Sequence, residues 1–291
     1  MFKGSGVALI TPFNEDMSVN YLEISKLVEY HCANSTDALI ILGTTGEAST
    51  LTDDEKIKIV ETVLDVNKKR LPIIVGAGSN NTKQAIEMSK KYESMGVDGL
   101  LLVTPYYNKG NEDGIYKHFI SIAEFVKLPI MLYNVPGRTG VNLSLGLLKK
   151  LAKQKNIVAI KEASGDISYA CEIARLVPEL EIYSGNDDMT VPLMSIGAVG
   201  TVSVLANIEP KVVHNMVYSY LNGDVNEARR LQLKYNGLVK SLFVEVNPIP
   251  VKKAMNILGM NVGGCRLPLG ELEQKSIEIL KKELAEVGEE I

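Results

Sequence analysis

Lys161 closes the run IVAIK at residues 157–161, where four apolar residues lead straight into a cation. A neutral lysine amine attacks a carbonyl carbon and forms a Schiff base. A free lysine, with a pKa of about 10.4, is almost wholly protonated near neutral pH. Burial at the top of an apolar strand disfavours the charged form, which turns this side-chain type into a nucleophile. The competing reading is a strand-end lysine whose ammonium reaches solvent, and one strand does not decide between them. Tyr133 closes PIMLY (129–133), and a phenol there can pass protons as a carbinolamine forms and collapses, or simply pack in the core. Thr44 and Thr45 stand between glycines in GTTGE (43–47). Their hydroxyls suit a proton relay or a carboxylate site, and equally a locally stabilised turn. Arg138 lies in YNVPGRTG (133–140), where its planar fork can clamp a carboxylate or make a surface ion pair. Tyr106 and Tyr107 in TPYYN (104–108) are adjacent loop aromatics, readable as exposed packing or as an interface, which the adjacent pair slightly favours.

Something must bring these residues together. Short apolar runs recur along the chain: GVALI (6–10), ALIIL (38–42), PIIVG (72–76), GLLLV (99–103), PIMLY, IVAIK, EIYSG (181–185) and GTVSV (200–204). They are continuous rather than alternating, the pattern of parallel strands covered on both faces. Helical patterns lie between them. Thr52 with Glu55 forms a capping box ahead of Ile57, Val60 and Val63–Leu64. NNTKQAIEMSKKYESMG opens on capping residues and stops at Gly96. Ile115, Phe119, Ile122 and Phe125–Val126 share one helical face. The expectation is an α/β fold, a (β/α)8 TIM barrel over residues 1–207. A C-terminal helical appendage follows over 208–291, with helices at 210–221, 224–243, 248–258 and 269–287. A doubly wound sheet is the alternative, but no dinucleotide fingerprint supports it. Barrels of this class build their sites at the C-terminal ends of the strands, where all the residues above fall.

Composition removes other classes. The chain of 291 residues carries a net charge of -4 with both signs interspersed, which offers no nucleic-acid groove. Three cysteines, Cys32, Cys171 and Cys265, form no CxxC and suit a reducing cytoplasm. The N-terminus lacks the apolar core of a signal peptide, and no run approaches the roughly 18 residues of a membrane span. His31, His118 and His214 are scattered and read as structural. Gly76 and Gly78 lack the third glycine of GxGxxG, and GxxxxGK is absent. The residues alone therefore point to a lysine Schiff-base enzyme acting on a small keto acid, without metal or organic cofactor.

GTTGE, TPYYN, YNVPGRTG, IKEASG and NPIPVK (247–252) together resemble the dihydrodipicolinate synthase family, now called 4-hydroxy-tetrahydrodipicolinate synthase, within the pyruvate-dependent class I aldolases. The likeness spans essentially the whole chain. It implies that Lys161 forms a Schiff base with pyruvate, whose enamine attacks L-aspartate 4-semialdehyde, in lysine and diaminopimelate biosynthesis. It implies Thr44, Tyr107 and Tyr133 as the proton relay, with Tyr107 reaching in from a neighbouring subunit. Thr45 and backbone near Val202 would bind the pyruvate carboxylate, and Arg138 that of the semialdehyde. The family's usual assembly implies a homo-oligomer, at least a tight dimer and commonly a tetramer.

Lysine-inhibited members of the family bind lysine at positions matching Ala48, Ser49, Asp53, Lys56, Asn80, Gln84 and Tyr106. Gln84 stands where they carry Glu, and Lys56 where many carry His, so weak or absent feedback is expected. The nearest rival is another Schiff-base lyase, such as N-acetylneuraminate lyase or a keto-deoxy-sugar-acid aldolase. Arg138 argues against it, because a sugar presents hydroxyls there. A non-catalytic ligand-binding barrel is opposed by the intact set of Lys161, Tyr133, Thr44 and Tyr107. A phosphate-binding barrel lacks the expected glycine-rich loop.

Overall fold

The computed structural model describes residues 1–290. In chain order its first half comprises β1 (Gly4–Ala8), α1 (Tyr21–Ala33), β2 (Ala38–Ile41), α2 (Asp53–Asn67), β3 (Ile73–Gly76), α3 (Thr82–Met95), β4 (Gly99–Val103) and α4 (Glu112–Phe125). Then come β5 (Ile130–Asn134), α5 (Pro136–Thr139), α6 (Leu145–Leu151), β6 (Ile157–Glu162), α7 (Ile167–Leu176), β7 (Glu181–Ser184), α8 (Thr190–Met194) and β8 (Gly200–Ser203). Four helices follow: α9 (Pro210–Leu221), α10 (Val225–Ser241), α11 (Ile249–Ile257) and α12 (Gln274–Val287). The strands close into a barrel in the order β1 to β8, the (β/α)8 fold expected from the apolar runs.

The chain divides into two compact units. One comprises Met1–Lys3 and Pro72–Val202. Its strands β3 to β8 form a parallel ladder in sequence order, and α3, α4, α6 and α7 pack successively beside one another. Residues such as Leu102, Leu132 and Ile160 are fully buried, as the two-sided covering of a parallel sheet requires. Helix α3 opens on Asn81, whose side chain accepts from Lys83 and Gln84 N–H, and ends at Gly96 in the left-handed region. On α4 the inward stripe is Ile115, Phe119 and Ile122, continued by Val126. Phe125, expected on that face, is exposed. The helix ends there, and the extended backbone at Val126 turns the next residue inward in its place.

The other unit comprises Gly4–Leu71 and the described residues from Ser203 onward. Here β1 pairs with β2, Gly6 facing Ala38. The first strand ends earlier than its apolar run, because Ile10 donates its N–H to the Asn207 side chain (3.2 Å). Helix α2 carries the expected capping box, with Thr52 and Glu55 bonded reciprocally. Its buried stripe is Ile59, Val60 and Val63, while Ile57 is only half-buried. Helix α9 packs on β1, α10 on α9 and α12, and α12 on α11. The last helix starts at Gln274 rather than 269, since Pro268 and Gly270 oppose helical backbone just before it.

The histidines sit in structural roles. Burial pushes His31 down to about 3 and His118 to about 4. Each is hydrogen bonded through Nδ1 to a threonine, Thr36 and Thr82, both at 2.9 Å. His214 pairs with Asp37 at 2.9 Å and stacks on Tyr218.

At the end of α12 the Glu209 carboxyl shares a hydrogen bond with Glu289. Tyr30, Tyr235 and Lys234 also act on it or face it. Burial, and then the Glu289 carboxyl, pushes Glu209 from 4.5 up to about 7. The folded state therefore holds this proton more tightly than the unfolded chain. The contribution is lost as pH rises from about 4.5 to about 7 and is level above that. Glu209→Gln is expected to raise the melting temperature more at about pH 8 than at about pH 5, as measured by thermal unfolding at the two pH values.

Candidate active site

In the first unit, Lys161 lies on β6 directly opposite Tyr133 on β5 and Tyr183 on β7. Residues in register on neighbouring parallel strands point to the same face. The Lys161 Nζ sits over the Tyr133 ring, 4.2 Å from its centroid. At 6% exposure the side chain does not extend to solvent, so the solvent-reaching reading fails. Among the described residues no carboxylate pairs with it. A buried lysine without a carboxylate partner, beside a tyrosine, is the kind of pair from which amine nucleophiles and proton carriers are drawn.

The register that joins these two side chains is locked from behind. Glu162 is buried, and its carboxylate accepts from Asn134 Nδ2 (2.8 Å) and Ser164 N–H (2.6 Å). Asn134 also donates to Asn142 Oδ1 (2.7 Å) and accepts from Leu143 N–H (3.1 Å). Tyr169 OH donates to the Leu143 carbonyl. Burial pushes the Glu162 carboxyl up, opposed by its hydrogen bonds. This network ties the ends of β5 and β6 together one residue beyond Tyr133 and Lys161. Sequence reasoning missed it; the signal was the polar pair Asn134 and Glu162, each ending a strand.

The remaining expected residues of this unit follow neighbouring strands. Val202 is buried on β8. Arg138 is exposed on α5, the short helix after β5, with its N–H bonded to the Val135 carbonyl (2.9 Å). Tyr107 follows β4 with φ 71° and 89% exposure, an unusual position for a bulky aromatic. Beside it the Tyr106 carbonyl accepts from Asn80 Nδ2 (3.2 Å), and Gln84 Oε1 accepts from Ser79 (2.9 Å).

In the second unit, Thr44 and Thr45 lie in the loop after β2. Thr44 is half-buried, and Thr45 is buried with its hydroxyl accepting from Asn247 Nδ2 (2.9 Å). Glu47, two residues on, makes a buried ion pair with Lys252 at 2.9 Å. Both motifs, GTTGE and NPIPVK, were visible in the sequence, but their meeting was not. Nearby, Asp53 pairs with Lys56 at 3.0 Å, Ala48 is half-buried and Ser49 exposed. Among the described residues no group of His, Cys, Asp or Glu is arranged to hold a metal ion, and no helix is long and apolar enough to cross a membrane.

The profile of the Dihydrodipicolinate synthetase family matches residues 1–287. The chain belongs to this family. A 4-hydroxy-tetrahydrodipicolinate synthase from Caldicellulosiruptor bescii is 53% identical over 288 residues, 99% of this chain and 98% of the relative. The chloride-inhibited dihydrodipicolinate synthase of Acinetobacter baumannii, solved in complex with pyruvate, is 43% identical. It covers 99% of both chains with a TM-score of 0.96. The enzyme of Cyanidioschyzon merolae, solved with lysine bound, is 40% identical with a TM-score of 0.96, over 99% of this chain and 98% of its own. Family membership thus joins a strand-end lysine whose burial and register are seen directly.

Gly185 shapes the space around that lysine. A Cβ there would lie 2.6 Å from Ala163 Cβ, 3.0 Å from the Glu162 carbonyl and 3.1 Å from Lys161 Cε. Gly185→Ala is expected to cost about 1–3 kcal/mol of stability and to displace the amine. Thermal unfolding checks the cost, and amine-selective labelling of Lys161 checks the displacement.

Proposed function

We propose that this protein is a 4-hydroxy-tetrahydrodipicolinate synthase, condensing pyruvate with L-aspartate 4-semialdehyde in lysine and diaminopimelate biosynthesis. The observation that carries the reading is the buried Lys161 amine, held against Tyr133 and without a carboxylate partner among the described residues. Its attack on C2 of pyruvate gives a carbinolamine, which loses water to form the imine. Loss of a C3 proton gives the enamine, and its C3 attacks the aldehyde carbon of the semialdehyde. The oxygen released there takes a proton and becomes the 4-hydroxyl. The semialdehyde's own amino group then adds to the imine carbon and expels Lys161, closing the ring. The covalent imine to Lys161 supplies the electron sink, so the steps require no organic cofactor or metal.

In this reading Tyr133, Thr44 and Tyr107 carry protons between the reacting atoms and water. The Thr45 hydroxyl and backbone beside Val202 bind the pyruvate carboxylate, and Arg138 takes the semialdehyde carboxylate as a fork. Tyr107 acts in a neighbouring subunit, which its extreme exposure supports, so the working form is a homo-oligomer, a tight dimer or a tetramer containing it. The reaction is placed in the cytoplasm, where its soluble substrates are made.

Semialdehyde-dependent loss of pyruvate is expected with the wild-type protein. It should fall by at least about 1,000-fold in folded Lys161→Ala. No consumption by well-folded wild-type protein would sink the condensation. Feedback is expected to be weak. Gln84 offers an amide where a carboxylate would attract an ammonium, and Lys56 adds a cation. Initial rates should hold at micromolar lysine, and half-inhibition in that range would overturn the reading.

A further inference from the structure

The loop that carries Thr44 and Thr45 is held by α11 at two points. Asn247, just before the helix, donates to the Thr45 hydroxyl (2.9 Å). Lys252, on the helix, donates to Glu47 Oε1 and to the Thr11 carbonyl, both at 2.9 Å, with its Nζ 4.2 Å from the Phe13 ring centroid. Both charged side chains are sealed from solvent, at 1% and 0% exposure. The second carboxylate oxygen of Glu47 accepts the Arg266 N–H (2.9 Å). Glu47 itself has φ 52° and ψ 34°, the left-handed region that side-chain-bearing residues enter only when held there. Its N–H bonds to the Thr44 carbonyl (3.1 Å), and the Gly46 carbonyl before it accepts from Thr11 Oγ1 (2.7 Å). The path of residues 44–47 is thus set by bonds converging on one carboxylate and the residue preceding it.

We propose that Lys252 is a positioning residue for the pyruvate half of the reaction, fixing the Thr44–Thr45 segment through Glu47. The assignment rests on the proposed function. A buried ion pair is poor support for stability alone, because apolar pairs of similar volume often replace one at no cost. This pair does two things an apolar pair cannot. It anchors a strained backbone position three residues from Thr44, and it neutralises a carboxylate two residues from Thr45. Arg138, assigned to the other substrate, lies after a different strand and shares none of these bonds.

The test uses full-length Lys252→Met and the charge-free double variant Lys252→Met/Glu47→Gln. Each is assayed for both KM values, for melting temperature and for borohydride trapping of pyruvate on Lys161. The expected result for the single variant is a pyruvate KM raised about tenfold or more, with slower trapping at low pyruvate. The semialdehyde KM should stay within about twofold. The double variant should regain melting temperature without regaining the pyruvate KM. A purely structural role would lower kcat with the folded fraction and leave both KM values in place, and that result overturns the assignment. So does restoration of the pyruvate KM in the double variant, or failure of both variants to fold. Trapping needs no semialdehyde. Wild-type protein that traps pyruvate without condensing it would sink the proposed reaction alone, with the single variant's trapping still deciding this assignment. Wild-type protein that traps nothing overturns both.

Discussion

Taking a charged lysine side chain out of water costs several kcal/mol, and this chain buries two lysines in opposite surroundings. Lys252 is surrounded by a carboxylate, a carbonyl and an aromatic face. It stays where it is put and gives its neighbours a fixed geometry. Lys161 is placed against the face of Tyr133, and among the described residues no carboxylate pairs with it. The first is compensated by a carboxylate; the second, among the described residues, is not. The fold must supply both environments, and an acceptor misplaced at Lys252 would leave a buried charge without support.

The barrel meets this demand through register. Tyr133 and Lys161 face each other because β5 and β6 pair at those positions. The Glu162–Asn134 bond one residue further keeps the pairing from slipping. A shift by one residue would exchange the two faces, sending Lys161 outward and the carboxylate inward. The buried polar cluster at the strand ends thus selects one alignment among several that the apolar side chains would tolerate equally. Its members satisfy one another's hydrogen bonds, which offsets the desolvation of Glu162.

The sequence made strand interiors and helix starts legible because they are local. The run ending in Lys161, the Thr52–Glu55 cap and the Gly96 stop each depend on a few adjacent residues. Contextual boundaries were less visible. Phe125 looked inward by spacing, yet the helix ends on it and Val126 takes the inner position. The long tail looked helical from 269, yet Pro268 and Gly270 delay it to Gln274. Least visible was charge pairing. GTTGE and NPIPVK could each be quoted, but no periodicity relates Glu47 to Lys252. Their union exists only once β2 and α11 have folded. The same holds for Asn134 and Glu162, whose polarity at strand ends passes for ordinary surface until burial is known.

The exposed Arg138 on α5 contrasts with Lys161 and Tyr133, which are seated within strands. A change of register is needed to move the amine, whereas the exposed Gly137 and Arg138 lie outside every strand ladder. Changes in size or charge at those two positions therefore leave the pairing of β5 with β6 in place.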